Sequence, residues 1–140
     1  MKLVPTLNFG GSCREALHLY EQAFGGRIAC LITYREANDP AYLPLLRDDQ
    51  PDYVYHAELN LGETRIIMSD HVDIPFQTCY TNFLTIMFDT KEEVQQAYAL
   101  MQEGSTTIYP MEATAYSSCR VVFVDRFGIR WGLMTEQTER

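Results

Sequence analysis

No stretch of this chain approaches the roughly 18 to 20 consecutive apolar residues that a membrane helix needs, so no spanning helix is expected. A signal peptide is not expected either: after Lys2 the apolar run is broken by Pro5, Thr6 and Asn8 before a hydrophobic region can form. The stretch Phe9-Gly10-Gly11-Ser12-Cys13 has the outline of a lipoprotein cleavage site, but the segment before it is too short and polar. Basic residues are scarce. Eleven Lys and Arg against 19 Asp and Glu leave a net charge of −8, which argues against nucleic acid as a partner, because its phosphates demand a basic surface. The acidic excess favours solubility and repels anionic partners at long range. There is no C-x-x-C pair: Cys13, Cys30, Cys79 and Cys119 lie far apart, without the spacing of a zinc ribbon or a thioredoxin-like site. Free thiols in a reducing cytoplasm are the expectation. A glycine-rich nucleotide fingerprint after a strand is also missing, which excludes a Rossmann-type S-adenosylmethionine site.

What remains is ordinary globular material: 140 residues, 46% hydrophobic and 21% charged, enough for a single domain over 1–140. Within it runs a weak internal repeat. A strand over Leu3 to Phe9 is followed by a helix opening at Ser12, and a strand over Asn82 to Phe88 by a helix opening at Thr90. Both helix starts carry a capping-box pattern, Ser12 with Glu15 and Thr90 with Glu93. The apolar stripes superpose at one offset: Ala16, Leu19, Tyr20 and Ala23 against Val94, Ala97, Tyr98 and Met101. Glycines follow at Gly26 and Gly104, where each helix should stop.

Strand-like stretches come next in both halves. The first half offers Ile28 to Tyr34, Tyr53 to Leu61 and Thr64 to Asp70, with a hairpin turn at Gly62-Glu63. The second offers Thr107 to Met111, Cys119 to Asp125 and Ile129 to Thr135, with Arg126-Phe127-Gly128 as the turn. The fold class is therefore α+β: two βαβββ modules, about 1–70 and 80–135, joined by a linker over about 71–79, with mixed sheets curled around a cleft. The segment Arg35 to Asp52, with Pro40, Pro44 and Pro51 in or beside it, reads as a long loop, and such loops are usually functional or mobile.

These features resemble a known family. Leu7-Asn8-Phe9 with Gly11, Glu15-Ala16, Tyr20 and Phe24-Gly25-Gly26 carry the first part of the likeness. His56-Ala57-Glu58-Leu59, Leu61-Gly62, Met68-Ser69-Asp70 and the closing Asp125-Arg126-Phe127-Gly128-Ile129-Arg130-Trp131 carry the rest. Together they span nearly the whole chain and resemble the PhnB-like branch of the vicinal-oxygen-chelate (glyoxalase/bleomycin-resistance/dioxygenase) superfamily. The resemblance implies the paired-module fold, a homodimer, and in the metal enzymes a divalent cation held by His, Glu or Gln from both halves. The ligand positions fall here on Pro5, His56, Phe83 and Gly132. Only His56 offers a donor, so no cofactor is expected, and a divalent metal only if other residues rebuild a seat.

The strand Tyr53 to Leu61 bears on that question. Alternation puts His56, Glu58 and Asn60 on one face, with Ala57, Leu59 and Leu61 packed beneath a helix. His56 and Glu58, about 6 to 7 Å apart along the strand, can form an acid/base pair, half of a metal site, or simply a hydrogen-bonded polar pair on a solvated sheet. His71 reads as a solvated linker histidine and His18 as solvent-facing. Tyr116 takes the aromatic position that PhnB-like relatives fill with Trp, and would wall a pocket. Arg120 or Arg130 would clamp an anionic group, with Phe83 and Thr85 as further ligand-binding positions. Trp131 should be core. Nine tyrosines and seven phenylalanines suit an aromatic-lined cleft as well as ordinary strand packing.

The functional expectation is a small-molecule-binding protein working without the superfamily's metal, sequestering a ligand as bleomycin-resistance proteins do. The alternative is a superfamily enzyme (isomerase, lyase or transferase) in which His56 and Glu58 move protons. A third is a structural or regulatory partner protein. Neither nucleic acid nor a membrane is expected as a partner.

Overall fold

Each half of the chain takes up the repeat read from the sequence. The computed structural model describes residues 1–75, 77, 79 and 81–136. Phe76, Thr78 and Tyr80, which fall in or beside the expected linker, and residues 137–140 lie outside the described residues. The chain divides into two compact units, Met1–Gln77 and Thr78–Arg140. The first contains β1 (Thr6–Phe9), α1 (Cys13–Phe24), β2 (Arg27–Thr33), α2 (Tyr34–Ala37), a 3-10 turn at Leu43–Leu45, β3 (Val54–Leu61) and β4 (Thr64–Asp70). The second contains β5 (Leu84–Phe88), α3 (Lys91–Met101), β6 (Thr106–Glu112), β7 (Arg120–Val124) and β8 (Arg130–Thr135). Strand orders are β1-β4-β3-β2 and β5-β8-β7-β6. In both sheets the first strand runs parallel to the fourth, and the other pairs are antiparallel. The two sheets are therefore mixed and share one topology. No helix among the described residues is long and apolar enough to cross a membrane.

Packing in the first unit follows the two periodicities. Ala57 and Leu59 of β3, and Ile66 and Met68 of β4, are buried on one sheet face, with Cys13, Ala16, Leu17, Tyr20 and Ala23 buried along α1. Each fully buried large side chain there, such as Leu17, Leu59 or Met68, contributes about 1.5 to 3 kcal/mol. The α1 stripe is rotated from the expected one: Leu17 is buried and Leu19 only half-buried. In the second unit Val94, Ala97 and Met101 of α3 are buried as expected, and the Tyr98 ring lies tilted against Phe123 with centroids 5.0 Å apart. Trp131 is fully buried, and its indole N–H donates to Asp125 at 2.9 Å.

Several boundaries differ from the sequence reading. β1 begins at Thr6, since Leu3 is almost fully exposed, and β5 begins at Leu84. Gly25, not Gly26, takes the left-handed conformation (φ 69°) that ends α1, and the Gly26 N–H closes the turn onto Glu21 at 3.1 Å. Tyr34 leaves the strand because Thr33 and Glu36 form a complete capping box and start a helical turn.

The two expected capping boxes come apart. Thr90 accepts from the Glu93 N–H at 3.2 Å and donates to its carboxylate at 3.0 Å. Ser12 makes no side-chain cap. Its role passes to Asp70, a residue 57 positions beyond Cys13, whose Oδ1 accepts from Gly11 N–H at 2.8 Å and Cys13 N–H at 3.1 Å. An ionised acceptor there also suits the positive end of the helix. Measured by urea unfolding, Ser12→Ala should shift stability by less than about 0.5 kcal/mol, whereas Thr90→Ala should cost about 1 kcal/mol. Equal losses would contradict this division of labour.

Candidate ligand pocket and its His56–Glu58 face

The face of the first sheet turned away from α1 bears the polar pair His56 and Glu58. On β3, alternation sends His56 and Glu58 to that face while Ala57 and Leu59 are fully buried on the other, as read from the sequence. The β2–β3 ladder slips twice. Between the pairs Ile32↔His56 and Thr33↔Val54 the extra residue is Tyr55. Such a bulge re-aims side chains, and here Val54 is fully buried while Tyr55 and His56 line the same pocket. A second slip, between Ile28↔Leu59 and Cys30↔Glu58, leaves Ala29 as the extra residue and sets Cys30 directly across from Glu58.

His56 Nε2 and Glu58 Oε2 are hydrogen-bonded at 2.9 Å, and Arg65 donates to the other carboxylate oxygen at 3.2 Å. The hydrogen bond from His56, helped by the charge of Arg65, outweighs partial burial and holds the Glu58 carboxyl below its ordinary range. The donor atoms of Cys30, His56 and Glu58 all lie within 4.8 Å of one another.

Beside this face lies a pocket of about 550 Å³. Tyr34, Tyr42 and Tyr55 line it together with His56, and His71 and Asp73 join them from the segment after β4. The three tyrosine rings pack edge to face, with centroids 5.2 to 6.0 Å apart, the arrangement their quadrupoles favour. Two of the hydroxyls are tied down: Tyr34 donates to the Asp70 carbonyl at 2.6 Å and Tyr55 to the Asp39 carboxylate at 2.9 Å. Burial first, then the neighbouring Tyr42 and Asp73, push the Tyr34 phenol up to about 12, so it stays protonated and keeps donating. Among the described residues that line the pocket there is no Lys or Arg.

The long proline-marked loop thus supplies Tyr42 to this pocket. His71 was read as a solvated linker residue; its backbone N–H bonds to Phe9 at 2.8 Å and its side chain lines the pocket. Nothing in the local spacing of Tyr34, Tyr42, His71 or Asp73 marks them, because the fold brings them together from three separate segments. His18 is exposed, as expected.

The remaining candidate residues gather within the second unit. A Cβ built on Gly132 would come within 3.2 Å of both the Phe83 ring and Thr85 Oγ1, so those two side chains occupy the space that a larger residue at that position needs. Of the positions where the resemblance puts the superfamily's cation ligands, Phe83 and Gly132 carry no metal-binding side chain, and neither does Pro5 in the first unit. Arg130 is 8% exposed and donates to Asn82 Oδ1 at 2.9 Å, with Cys79 Sγ at 3.9 Å. Arg120 lies against two tyrosines, 5.0 Å from the Tyr109 ring centre and 5.6 Å from that of Tyr116, and donates to the Tyr116 hydroxyl. The structure therefore groups Phe83 with Thr85, and Tyr116 with Arg120.

No protein-family model and no curated protein matches the sequence. Solved structures do. Protein PA1353 from Pseudomonas aeruginosa is 28% identical, covers 99% of each chain and superposes with a TM-score of 0.83. The PhnB protein from Bacillus cereus is 20% identical over 96% of this chain and 99% of its own, with a TM-score of 0.74. The fosfomycin resistance protein FosX from Listeria monocytogenes is 10% identical over 98% and 93%, with a TM-score of 0.66. The last two likenesses are likenesses of fold. Together with the repeated βαβββ topology they settle the architecture: this chain shares the paired-module α+β fold of PA1353, the PhnB protein and FosX.

Proposed function

We propose that the chain binds a small molecule in the tyrosine-lined pocket of its first unit, without the cation that the superfamily's metal enzymes use. The carrying observation is the pocket itself: three aromatic rings and His56 around about 550 Å³, a volume within the usual range for ligand sites. The replaced donors at Pro5, Phe83 and Gly132 support the metal-free part of the reading. With Asp73 at the pocket and no Lys or Arg among its described lining residues, the site suits a neutral or cationic flat ligand better than an anion. A cation over a tyrosine face gains about 0.5 to 2 kcal/mol. A FosX variant from L. monocytogenes was solved with Mn(II) and a dihydroxypropylphosphonic acid; the pocket here offers an anion of that kind no guanidinium or ammonium among its described lining residues.

A thermal-shift survey of neutral and cationic aromatic metabolites, run with a chelator present, tests this reading, since a ligand that binds only the native state raises its apparent stability. Stabilisation by members of that class is expected, and Tyr42→Ala should weaken the best of them by about tenfold, equivalent to about 1.4 kcal/mol. Stabilisation by anions alone, or binding that vanishes on adding the chelator, would contradict it.

One observation favours a second reading. The His56–Glu58 bond of 2.9 Å is the pairing of a base with a carboxylate that orients it. His56 lines the pocket, so it can touch a bound molecule, take a proton from it, and be stabilised as imidazolium by Glu58. For any ligand found to turn over, His56→Ala should then lower kcat by about a hundredfold or more while leaving the fold intact by circular dichroism. Unchanged turnover in that variant removes the proposed base and leaves binding alone.

A further inference from the structure

Cys30, His56 and Glu58 form a donor set that the superfamily's pattern does not contain. All three lie on adjacent strands of one sheet, Cys30 on β2 and the other two on β3. The ladder pairs Cys30 with Glu58 and Ile32 with His56, so sulfur, carboxylate and imidazole rise from neighbouring positions of the same face. Without the bulge at Ala29, the register would place Cys30 opposite Ala57, on the helix-covered side. The bulge is what delivers the thiol to the other two donors.

We propose that Cys30, His56 and Glu58 form a three-donor seat for a divalent cation of the zinc class, contained within the first unit. Thiolate, imidazole and carboxylate together suit zinc or cobalt and disfavour magnesium and calcium, which prefer all-oxygen shells. Tetrahedral geometry at ordinary zinc bond lengths puts donor atoms roughly 3.4 to 3.8 Å apart. The observed set brackets that spacing, with the His56–Glu58 contact at 2.9 Å and every pair within 4.8 Å. All three side chains are partly exposed, so an ion has a route in and a position is left for water or a ligand, the open arrangement of catalytic rather than structural sites. Arg65, bonded to the second oxygen of Glu58 at 3.2 Å, holds the carboxylate in place, as outer partners of metal ligands do. On binding, the Cys30 thiol gives its proton to solvent, and the ring proton that His56 shares with Glu58 moves to the other imidazole nitrogen.

This seat shares His56 with the tyrosine-lined pocket, so the two readings are tested apart: the small molecule with a chelator present, the seat with the metal alone. The probe is cobalt(II) alone, titrated into the full chain and followed by absorbance. One equivalent should bind with a thiolate-to-cobalt charge-transfer band and the intense visible bands of a four-coordinate ion, and zinc should displace it. Cys30→Ser should remove the charge-transfer band, and His56→Ala or Glu58→Gln should each weaken binding by about tenfold or more. Cys79→Ser, which removes the exposed cysteine, should leave the band unchanged. The proposal is overturned if no charge-transfer band forms, if the band survives Cys30→Ser in a folded variant, or if it is lost in Cys79→Ser.

Discussion

One buried carboxylate holds the first unit in the form that makes its pocket. Asp70 is 1% exposed and sits at the end of β4. Its Oδ1 accepts from the N–H groups of Gly11 and Cys13, its Oδ2 from that of Val54, and its carbonyl from the Tyr34 hydroxyl. A buried charge is costly unless its lone pairs are satisfied, and here backbone donors satisfy them. The turn into α1, the entry to β3 and the Tyr34 wall of the pocket are thereby fixed to a single residue. The bulge that brings Tyr55 and His56 to the pocket begins one residue after the Val54 amide that Asp70 holds. Beside it, the Cys13 thiol is pushed up by burial and by the Asp70 charge, so that cysteine is an inert piece of core.

The second unit repeats the topology and changes the chemistry. Thr135 pairs with Phe88 in the register where Asp70 pairs with Phe9, and it too ties the last strand to the entry of the third, accepting from the Ser118 N–H at 3.0 Å. The other bonds of this hydroxyl go to the Ser117 and Ser118 side chains at the entry to β7, and α3 relies on its own Thr90 cap instead. In the second unit Phe83 and Thr85 fill the space beside Gly132. The two units keep one strand order, while among the described residues the clustered donors Cys30, His56 and Glu58 lie in the first.

Much of the fold was legible because its signals are local. The alternation of His56, Glu58 and the apolar residues between and beyond them, the turn at Gly62 and the matched stripes of α1 and α3 each depend on near neighbours in the chain. What escaped notice depends on distant ones. Ser12 has the sequence of a cap, but nothing nearby shows that Asp70 will displace it. Bulges leave no clear mark in composition, so neither the exposure of Tyr55 beside His56 nor the arrival of Cys30 opposite Glu58 could be read from alternation. The pocket was missed for the same reason. Tyr34, Tyr42, His71 and Asp73 come from the start of α2, the irregular excursion after it and the segment after β4, and only tertiary structure assembles them. The pairing of His56 with Glu58 was legible because both share one strand.

Amide hydrogen exchange in Asp70→Asn addresses the dependence of this unit on its buried carboxylate most directly. An amide side chain can offer its oxygen to the Gly11 and Cys13 N–H groups only by turning its NH₂ toward that of Val54, or the reverse, so at least one side must lose its acceptor. Protection should collapse at Val54, or at Gly11 and Cys13, while the β3–β4 ladder amides, such as that of Leu59, keep theirs. Unchanged protection at all three amides in the variant would show that Asp70 does not organise the pocket-bearing unit.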